Sequence, residues 1–316
     1  MILTVTPNVA VDKTFRIEGF CLDRVHRPSS AFTVAGGKGI NVARVYQTLG
    51  GQALCTGFLG GAQGQIVARA LASEKLNGQF VPCEGETRLC IAVIDPTTGT
   101  QTEINESGPE ISSRTVSRLL RCVQSLLSQQ PFDFVVLSGS LPPGAPDALY
   151  AELIALAKQK GVRTVLDSSG AALREGIAAK PWMVKPNRAE MESLLGAPCI
   201  EEAECITQAR RLCNAGVTIV ALTLGADGAV LVRDQEPALM AVPPTIEFAS
   251  AVASGDAFLA AFLWDWSHGS QPENTVGALR LAVGAGAANA AVIGAGFCSL
   301  ESIQAYAACV SISVCD

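Results

Sequence analysis

The residues best suited to do chemistry lie at the start of an apolar, helix-like run late in the chain. Asp256 ends the segment Ala253-Ser254-Gly255-Asp256, and the apolar run 259–264 follows closely. The first turn of a helix carries unpaired N–H groups and the positive end of the helix dipole, so it attracts a phosphate. A carboxylate there can accept the proton of an attacking hydroxyl. The segment predicts an anion hole made of the N–H groups of Ala253, Ser254 and Gly255, with Asp256 as general base.

A second glycine-rich segment, 36–44, also opens a helix-like run, which ends at Leu49-Gly50. Taken alone, a Ser-Gly-Asp segment before a helix is more often an ordinary N-cap than a catalytic site. Two such elements in one chain shift the interpretation towards phosphate chemistry.

With both segments the chain resembles the ribokinase-like (PfkB) carbohydrate kinases over essentially its whole length. Within that family it is most similar to the phosphosugar branch, of the 1-phosphofructokinase and tagatose-6-phosphate kinase type. Four further segments carry the resemblance: 4–14, 102–109, 138–144 and 185–190. The family usually places a proline just after the asparagine of its opening strand, whereas Pro7 precedes Asn8 here.

The resemblance implies a kinase that uses ATP and Mg²⁺ to phosphorylate a hydroxyl of a ketohexose monophosphate, with Asp256 as the base. The acceptor stays open between fructose 1-phosphate, tagatose 6-phosphate and fructose 6-phosphate, because the residues that hold the phosphate are largely shared. The resemblance also implies a homodimer formed through a small β lid.

On the sugar side, the resemblance assigns Asp12 and Asn41 to the hydroxyl groups. Glycines at 36, 37 and 39 would let the backbone approach the ring, with Gly37 among the binding residues. The phosphate already on the substrate is assigned to three cationic side chains and one hydroxyl, which are Arg27, Lys38, Arg88 and Ser138. Arginine forks suit phosphate oxygens, and lysine adds a point charge.

On the nucleotide side, Asn187 and Glu190 match the N-x-x-E element that in the family positions Mg²⁺ through waters. Lys185 would contact the ATP phosphates. The nucleotide turn and base are assigned to Thr223, Gly225, Gly228 and Asn289. The alternative interpretation of Glu190, less favoured, is a first-turn glutamate that complements a helix dipole.

The elements that must position these residues alternate between short β-rich runs and longer helical patterns. Predicted strands are 2–6, 54–58, 134–137, 164–167, 182–184 and 219–224, and predicted helices include 64–74, 112–129, 145–160 and 201–215. This alternation predicts an α/β fold with a doubly wound, mostly parallel sheet and helices on both faces, as in the ribokinase-like family. Such sheets bind ligands beyond the carboxyl ends of their strands.

Two segments break the alternation and indicate strand pairs. Residues 14–20 would pair with 31–35, and residues 89–94 with 100–104. In the family such strands form a lid over the sugar, which places lid strands at about 13–35 and 88–105 within a single kinase domain spanning 1–316. On the residues alone, surface hairpins explain the pattern equally well.

Composition excludes several classes of function. A net charge of −6 and a pI near 5.1 argue against a nucleic-acid partner. The cysteines number eleven, an odd count without a Cys-x-x-Cys pair, so we expect reduced and mostly buried thiols in a cytoplasmic protein. The uncharged window 281–300 is rich in alanine and glycine, which favours a buried helix over a membrane span.

Competing functions find less support. The glycine segment lacks the Gly-x-Gly-x-x-Gly spacing of dinucleotide-dependent oxidoreductases, and no Gly-x-Ser-x-Gly elbow accompanies His26 and His268. A non-catalytic sugar-phosphate-binding regulator and a kinase of an unphosphorylated sugar or nucleoside stay open. Ala253 stands where the family usually has glycine, and we expect a negative φ there, so that its N–H still faces the phosphoryl group.

Overall fold

The structure, a computed structural model, describes residues 1–269 and 273–315. In this part of the chain the strands are β1 Ile2–Thr6, β2 Ala10–Arg16, β3 Ser30–Gly36, β4 Ala53–Leu59, β5 Asn77–Gly78, β6 Val81–Pro82, β7 Arg88–Asp95, β8 Thr100–Asn105, β9 Phe134–Ser138, β10 Arg163–Asp167, β11 Met183–Val184, β12 Ile219–Thr223, β13 Ala229–Arg233, β14 Ala238–Val242 and β15 Ser311–Cys315. The helices are α1 Lys38–Thr48, α2 Gly61–Ser73, α3 Ser113–Gln129, α4 Leu149–Gln159, α5 Gly170–Ala178, α6 Arg188–Leu195, α7 Glu202–Asn214, α8 Ser254–His268, α9 Thr275–Ala290 and α10 Leu300–Ala308, with a short 3₁₀ turn at Gly225–Asp227.

A large sheet forms the centre of the molecule, with the strand order β15-β14-β13-β12-β11-β10-β9-β1-β4-β5 and with β6 beside β4. All neighbours from β5 to β12 are parallel, and the last three pairings are antiparallel. Strand order reverses at β1, which lies between β4 and β9. The predicted doubly wound, mostly parallel sheet is confirmed, and its carboxyl ends provide the usual ligand-binding edge.

Alternating side chains of the sheet enter two separate hydrophobic layers. In β9, Phe134 and Val136 belong to the hydrophobic layer that contains α1, α8 and α9, whereas Val135 and Leu137 belong to the layer of α3, α4 and α7 on the opposite face. This period of two is the geometry of a strand buried on both sides. Helices on both faces are therefore confirmed as predicted.

Helix α8 is apolar almost all round, because it is packed between other helices rather than lying at the surface. Its residues 256–263 are all buried, and it contacts α9 and α1 extensively. A helix without a polar face is typical of such an interior position. Its N-terminus is thereby fixed beside α1.

A second, small sheet has the strand order β3-β2-β7-β8. Its outer pairings are antiparallel and its central pairing, β2 with β7, is parallel. The two predicted strand pairs thus join into one sheet. The predicted bounds of the first strand, 14–20, are wrong by four residues, since β2 spans Ala10–Arg16. The carboxylate of Asp95 accepts hydrogen bonds from the N–H groups of Gly19 and Phe20, both at 3.0 Å, and holds these two residues in a turn.

The uncharged window 281–300 is only partly the buried helix that we predicted. Helix α9 ends at Ala290, and an irregular segment follows up to α10. Within residues 1–269 and 273–315, no helix has both the length and the apolar character needed to cross a bilayer. The cysteines are free thiols, of which Cys55, Cys199, Cys205, Cys213 and Cys298 are buried.

The packing of α9 against α10 yields a stability prediction. A Cβ added at Gly284 would lie 2.5 Å from the backbone nitrogen of Ala307 in α10, whereas a Cβ at Gly286 would meet only ordinary contacts, the nearest at 3.4 Å. Alanine gains about 1 kcal/mol of helix propensity over glycine at either position. We expect Gly286→Ala to be neutral or stabilising and Gly284→Ala to lower the free energy of unfolding by about 1 to 3 kcal/mol, measured by urea denaturation. Equal effects at both positions would contradict the close helix contact.

Candidate active site

Asp256 lies in the first turn of α8 and is almost completely buried. Its Oδ2 accepts a hydrogen bond of 2.9 Å from Nδ2 of Asn41 in α1. Burial raises the pKa of Asp256 to about 6, and the negative charge of Asp167 acts in the same direction. Lys38, the Asn41 amide and Lys185 favour the ionised form. At neutral pH the carboxylate is therefore mostly ionised, yet it is a stronger base than an ordinary aspartate.

The backbone before Asp256 leaves N–H groups free. Among the described residues, the N–H groups of Ala253 and Gly255 have no hydrogen-bond acceptor, and that of Ser254 donates to the carbonyl of Ala251 at 3.2 Å. A Cβ added at Gly255 would lie 3.2 Å from Nζ of Lys185, so the ammonium group approaches the same spot. The start of α8 can therefore bind an anion through backbone donors and a cation.

Ala253 differs from our expectation. Its φ is +62° and its ψ is 10°, the left-handed conformation, so the predicted negative φ is wrong. The turn is imposed by the helix start, because the carbonyl of Ala253 accepts hydrogen bonds from the N–H groups of Asp256 and Ala257 at 3.1 and 2.9 Å. An L-residue in this region costs about 1 kcal/mol that glycine would not.

Asn289 supports this turn rather than facing a nucleotide. Its fully buried amide donates to the carbonyl of Val252 at 2.7 Å and to Oγ of Ser254 at 3.2 Å, and its Oδ1 accepts from the N–H of Gly296 at 2.8 Å. Its amide is thus occupied by protein groups, and its contact with the nucleotide base stays a prediction. Asn289 holds the anion-binding turn in place.

Asp167 is a central residue of the site that the sequence analysis missed. It ends β10, is fully buried, and places Oδ1 at 2.7 Å from Nζ of Lys38 and Oδ2 at 3.0 Å from Nζ of Lys185. Although burial acts against ionisation, Lys185 and Lys38 hold the pKa of Asp167 below its ordinary value. The available signal was an aspartate at the carboxyl end of a buried parallel strand.

Lys38 is one of the two lysines that contact Asp167, and it lies on the side of the N-x-x-E element. Its Nζ is 3.6 Å from Oε1 of Glu190 as well as close to Asp167. Although burial favours the neutral amine, Asp167 and Glu190 hold the pKa of Lys38 above its ordinary value. We had assigned Lys38 to the phosphate of the sugar, whereas its partners in the structure are these two carboxylates.

Asn187 and Glu190 form a capping box at the start of α6. Oδ1 of Asn187 accepts from the N–H of Glu190, and Oε2 of Glu190 accepts from the N–H of Asn187, both at 2.8 Å. Both interpretations of Glu190 are therefore compatible, since the cap fixes the side chain and leaves Oε1 towards Lys38. No cluster of three or more acidic, histidine or cysteine ligands occurs in the described residues. One carboxylate and one amide oxygen fit Mg²⁺ that keeps most of its waters and binds substrate phosphates.

The predicted nucleotide turn follows β12. The N–H of Thr223 donates to the carbonyl of Pro186 at 3.0 Å, which joins the turn to the residue before the N-x-x-E element. Gly225 has a φ of +65° and open space around it, whereas a Cβ at Gly228 would lie 1.9 Å from the carbonyl oxygen of Ala241. Gly225 is thus available to a ligand, while Gly228 is required by packing against β14.

On the sugar side, Asp12 in β2 lies over the glycine segment. A Cβ at Gly36 would lie 2.1 Å from Cγ of Asp12, so this glycine makes room for the carboxylate rather than for a ring. Gly37 has a φ of +108°, and a Cβ there would meet the Thr6 side chain. Burial raises the pKa of Asp12 to about 6, although the positive charge of Arg88 opposes the shift.

The predicted phosphate cluster is not assembled within one chain. Arg88 pairs with Ala10 at the inner end of the small sheet, and its guanidinium donates to the carbonyls of Asn8 and Glu106, both at 3.3 Å. Arg27 is exposed in the β2–β3 loop, beyond the outer end of the same strands. The seven residues of β2 separate the two ends by roughly 20 Å. The two arginines of a single chain therefore do not meet in this structure.

Ser138 and Asn41 are both buried, and of the two only Asn41 has side-chain partners in the described part of the chain. Ser138 is fully buried, and its Oγ has no partner among the described residues. Asn41 is buried with its amide committed to Asp256, and its Oδ1 accepts from Nη1 of Arg44 at 2.9 Å. Asn41 therefore contacts Asp256, the candidate general base, and does not form a sugar-binding pair with Asp12 in this structure. Arg44 was not among the candidate residues.

Comparison with known proteins places these features in context. The family described as pfkB family carbohydrate kinase matches residues 6–303. A 1-phosphofructokinase of Rhodobacter capsulatus is 39% identical over 262 residues, which cover 83% of this chain and 82% of the relative. The crystal structure of phosphofructokinase-2 from Escherichia coli in complex with substrates and products has a TM-score of 0.89 and 29% identity, covering 97% of this chain and 98% of that one.

A tetrameric inhibited form of the same Escherichia coli enzyme has a TM-score of 0.87 and 28% identity, with 97% of this chain and 98% of that chain covered. The sequence match and the structural matches both extend over most of the chain, as the motifs do. This chain therefore belongs to the pfkB family of carbohydrate kinases.

Proposed function

We propose that the chain is an ATP-dependent phosphosugar kinase and that fructose 1-phosphate is its acceptor. The observation that carries the proposal is the convergence at the start of α8 of a buried carboxylate, free backbone N–H groups and the Lys185 ammonium. The similarity to a 1-phosphofructokinase supports the choice of acceptor. Tagatose 6-phosphate and fructose 6-phosphate are the nearest competitors.

In this proposal Asp256 accepts the proton of the sugar hydroxyl as its oxygen attacks the γ-phosphorus of ATP. The N–H groups of Ala253 and Gly255 and the ammonium of Lys185 stabilise the charge on the transferring phosphoryl group. Lys38 adds a second positive charge from the opposite side of Asp167. Because these groups are held by buried partners before substrates bind, little reorganisation is needed during the transfer.

Glu190, with Asn187, would hold Mg²⁺ through water, and the metal would supply positive charge to the ATP phosphates. The turn containing Thr223 and Gly225 would lie along the nucleotide. Arg188 strengthens this arrangement, because its ion pair of 2.9 Å with Asp227 joins the start of α6 to that turn.

The small sheet is proposed to act as a lid over the sugar, with Asp12 and Arg88 at its inner end as the residues that contact the substrate. The chain would then be one kinase domain into which the lid strands are inserted. Four large apolar side chains of the small sheet and its β2–β3 loop are exposed, namely Leu22, Val25, Phe32 and Ile104. We propose that a second copy of the chain covers part of this surface.

The oligomeric state of a Leu22→Ser/Val25→Ser variant, measured by sedimentation, tests this proposal. If the variant remains a dimer, the β2–β3 loop does not belong to the interface.

The function is tested by coupled ADP release with fructose 1-phosphate, fructose 6-phosphate, tagatose 6-phosphate, fructose and ribose. We expect the highest kcat/KM with fructose 1-phosphate, and a kcat about 10² to 10⁴ lower in Asp256→Asn with little change in KM. Better turnover of fructose or ribose would show that the phosphosugar assignment is wrong. Binding of a sugar phosphate without any turnover would instead support the non-catalytic regulator.

The raised pKa of Asp256 predicts the pH dependence. Because only the ionised carboxylate can accept a proton, kcat/KM for the acceptor should fall as the pH decreases through about 6, and the fall due to Asp256 alone should approach about tenfold per unit below that pH. Asp12 titrates in the same range and steepens the fall. Initial rates between pH 5 and 8 at saturating ATP give this acid limb, the low-pH side of the pH–rate profile. A midpoint near pH 4 would show that the carboxylate of Asp256 is solvated rather than buried.

The left-handed conformation of Ala253 predicts a stability effect without a large rate effect. Its N–H is already free in this conformation, so Ala253→Gly should change kcat by less than about threefold. Relief of strain should leave the free energy of unfolding unchanged or raise it by up to about 1 kcal/mol. Ala179→Gly, at a φ of −78°, is the matched control and should be destabilising. Equal losses in both variants, or a tenfold rise in kcat, would contradict this account.

A further inference from the structure

Arg44 is a buried arginine of α1 that makes an unusually complete set of hydrogen bonds. Its Nε and Nη2 donate to the two carboxylate oxygens of Glu74 at 2.6 and 3.2 Å. Nη2 also donates to the carbonyl of Ala35 at 2.8 Å, and Nη1 donates to the carbonyl of Ala295 at 2.6 Å and to Oδ1 of Asn41 at 2.9 Å. The guanidinium therefore joins the end of β3, the segment after α9 and the end of α2 to one side chain of the site.

The contact with Asn41 has a chemical consequence. An amide presents an acceptor at one end and donors at the other, and arginine can only donate. Because Arg44 takes the Oδ1 end, the Nδ2 end must face Asp256, to which it donates at 2.9 Å. Without Arg44 the amide is free to rotate and to turn its oxygen towards the carboxylate, which is repulsive.

We propose that Arg44 is a positioning residue for the general base, acting through the Asn41 amide on the carboxylate of Asp256. The inference rests on the proposed function, in which Asp256 accepts the proton. Two further contacts fix Arg44 itself: the paired oxygens of Glu74 and the ring of Phe297, which lies 4.6 Å from the guanidinium carbon. Five nitrogen-to-oxygen contacts in fixed directions suit a planar fork and cannot be reproduced by lysine.

Such a residue should affect the chemical step more than the binding of ATP. Misorientation of the base lowers kcat, while the ATP side of the site keeps its contacts. Loss of the Nδ2 donor also disfavours the ionised carboxylate. The other groups facing Asp256 are Asp167, Lys38 and Lys185, and none of them contacts Arg44 among the described residues.

The experiment compares Arg44→Lys, Asn41→Ala and the double variant, with fructose 1-phosphate as acceptor. We expect Arg44→Lys to lower kcat about ten- to a hundredfold, to leave KM for ATP within about twofold, and to move the acid limb of kcat upwards by about one pH unit. The double variant should be no slower than the worse single variant, because both changes remove one interaction.

Arg210→Lys is the matched control, since Arg210 also donates to two backbone carbonyls, those of Arg233 and Glu236, in a part of the chain outside the site. It should leave kcat and the acid limb unchanged. Three results would overturn the inference and leave Arg44 a structural residue. They are a loss of kcat in the double variant equal to the product of the two single losses, an acid limb at the same pH in Arg44→Lys, and an equal loss of kcat in Arg210→Lys.

If Arg44→Lys does not fold, judged by circular dichroism and thermal unfolding, Glu74→Gln provides the test. This change keeps a hydrogen-bond acceptor for Arg44 but removes the negative charge that holds its guanidinium. We expect kcat to fall a few fold and the midpoint of the acid limb to move to higher pH. No change in either would overturn the inference. Failure of the unmodified protein to phosphorylate any phosphosugar would instead refute the proposed function, which separates the two outcomes.

Discussion

Asp167 ends β10 with its carboxylate fully buried between the ammonium groups of Lys38 and Lys185. An isolated charge in this position would cost several kcal/mol, so the carboxylate is stable only while both lysines stay close to it. The same constraint acts on the lysines, which are held where a phosphoryl group would meet them. The negative charge of Asp167 also helps to keep Asp256 basic. The fold and the proposed catalytic electrostatics therefore share one buried ion-pair cluster.

This cluster explains how an acidic chain can handle highly charged substrates. The whole chain has a net charge of −6, whereas the carboxyl edge of the sheet contains two lysines held by Asp167 and free N–H donors. The low dielectric of the buried site strengthens these local charges relative to distant ones. In the proposed site, local arrangement rather than overall charge would select the bound anions.

The sequence predicted the fold class, a doubly wound and mostly parallel sheet, and the location of Asp256 at a helix start, because these depend on local patterns and on motifs a few residues long. It did not predict the contacts that cross the chain. Asn41 and Asp256 are 215 residues apart in sequence, and nothing in either motif indicates that the amide binds the carboxylate. The end of β2 was misplaced because the Asp95 side chain that ends it lies 76 residues away from Gly19. The φ of Ala253 was misjudged because the turn combines the start of α8 with contacts from Asn289 on another helix, which the segment itself does not show.

The strand order of the large sheet has a consequence for how the chain can assemble during synthesis. Strand β4 joins one side of β1, and Phe134 of β9 later joins Ile2 on its other side. From β9 onwards every strand of the series adds to the outer edge left by the preceding one, ending with β15. No strand has to enter between two that are already paired, and most pairings after β9 are short in sequence. The sheet can therefore grow outwards as the ribosome releases the chain. The pairing most distant in sequence is the one that joins β9 to β1, and the addition of β15 to β14 is a second long-range step.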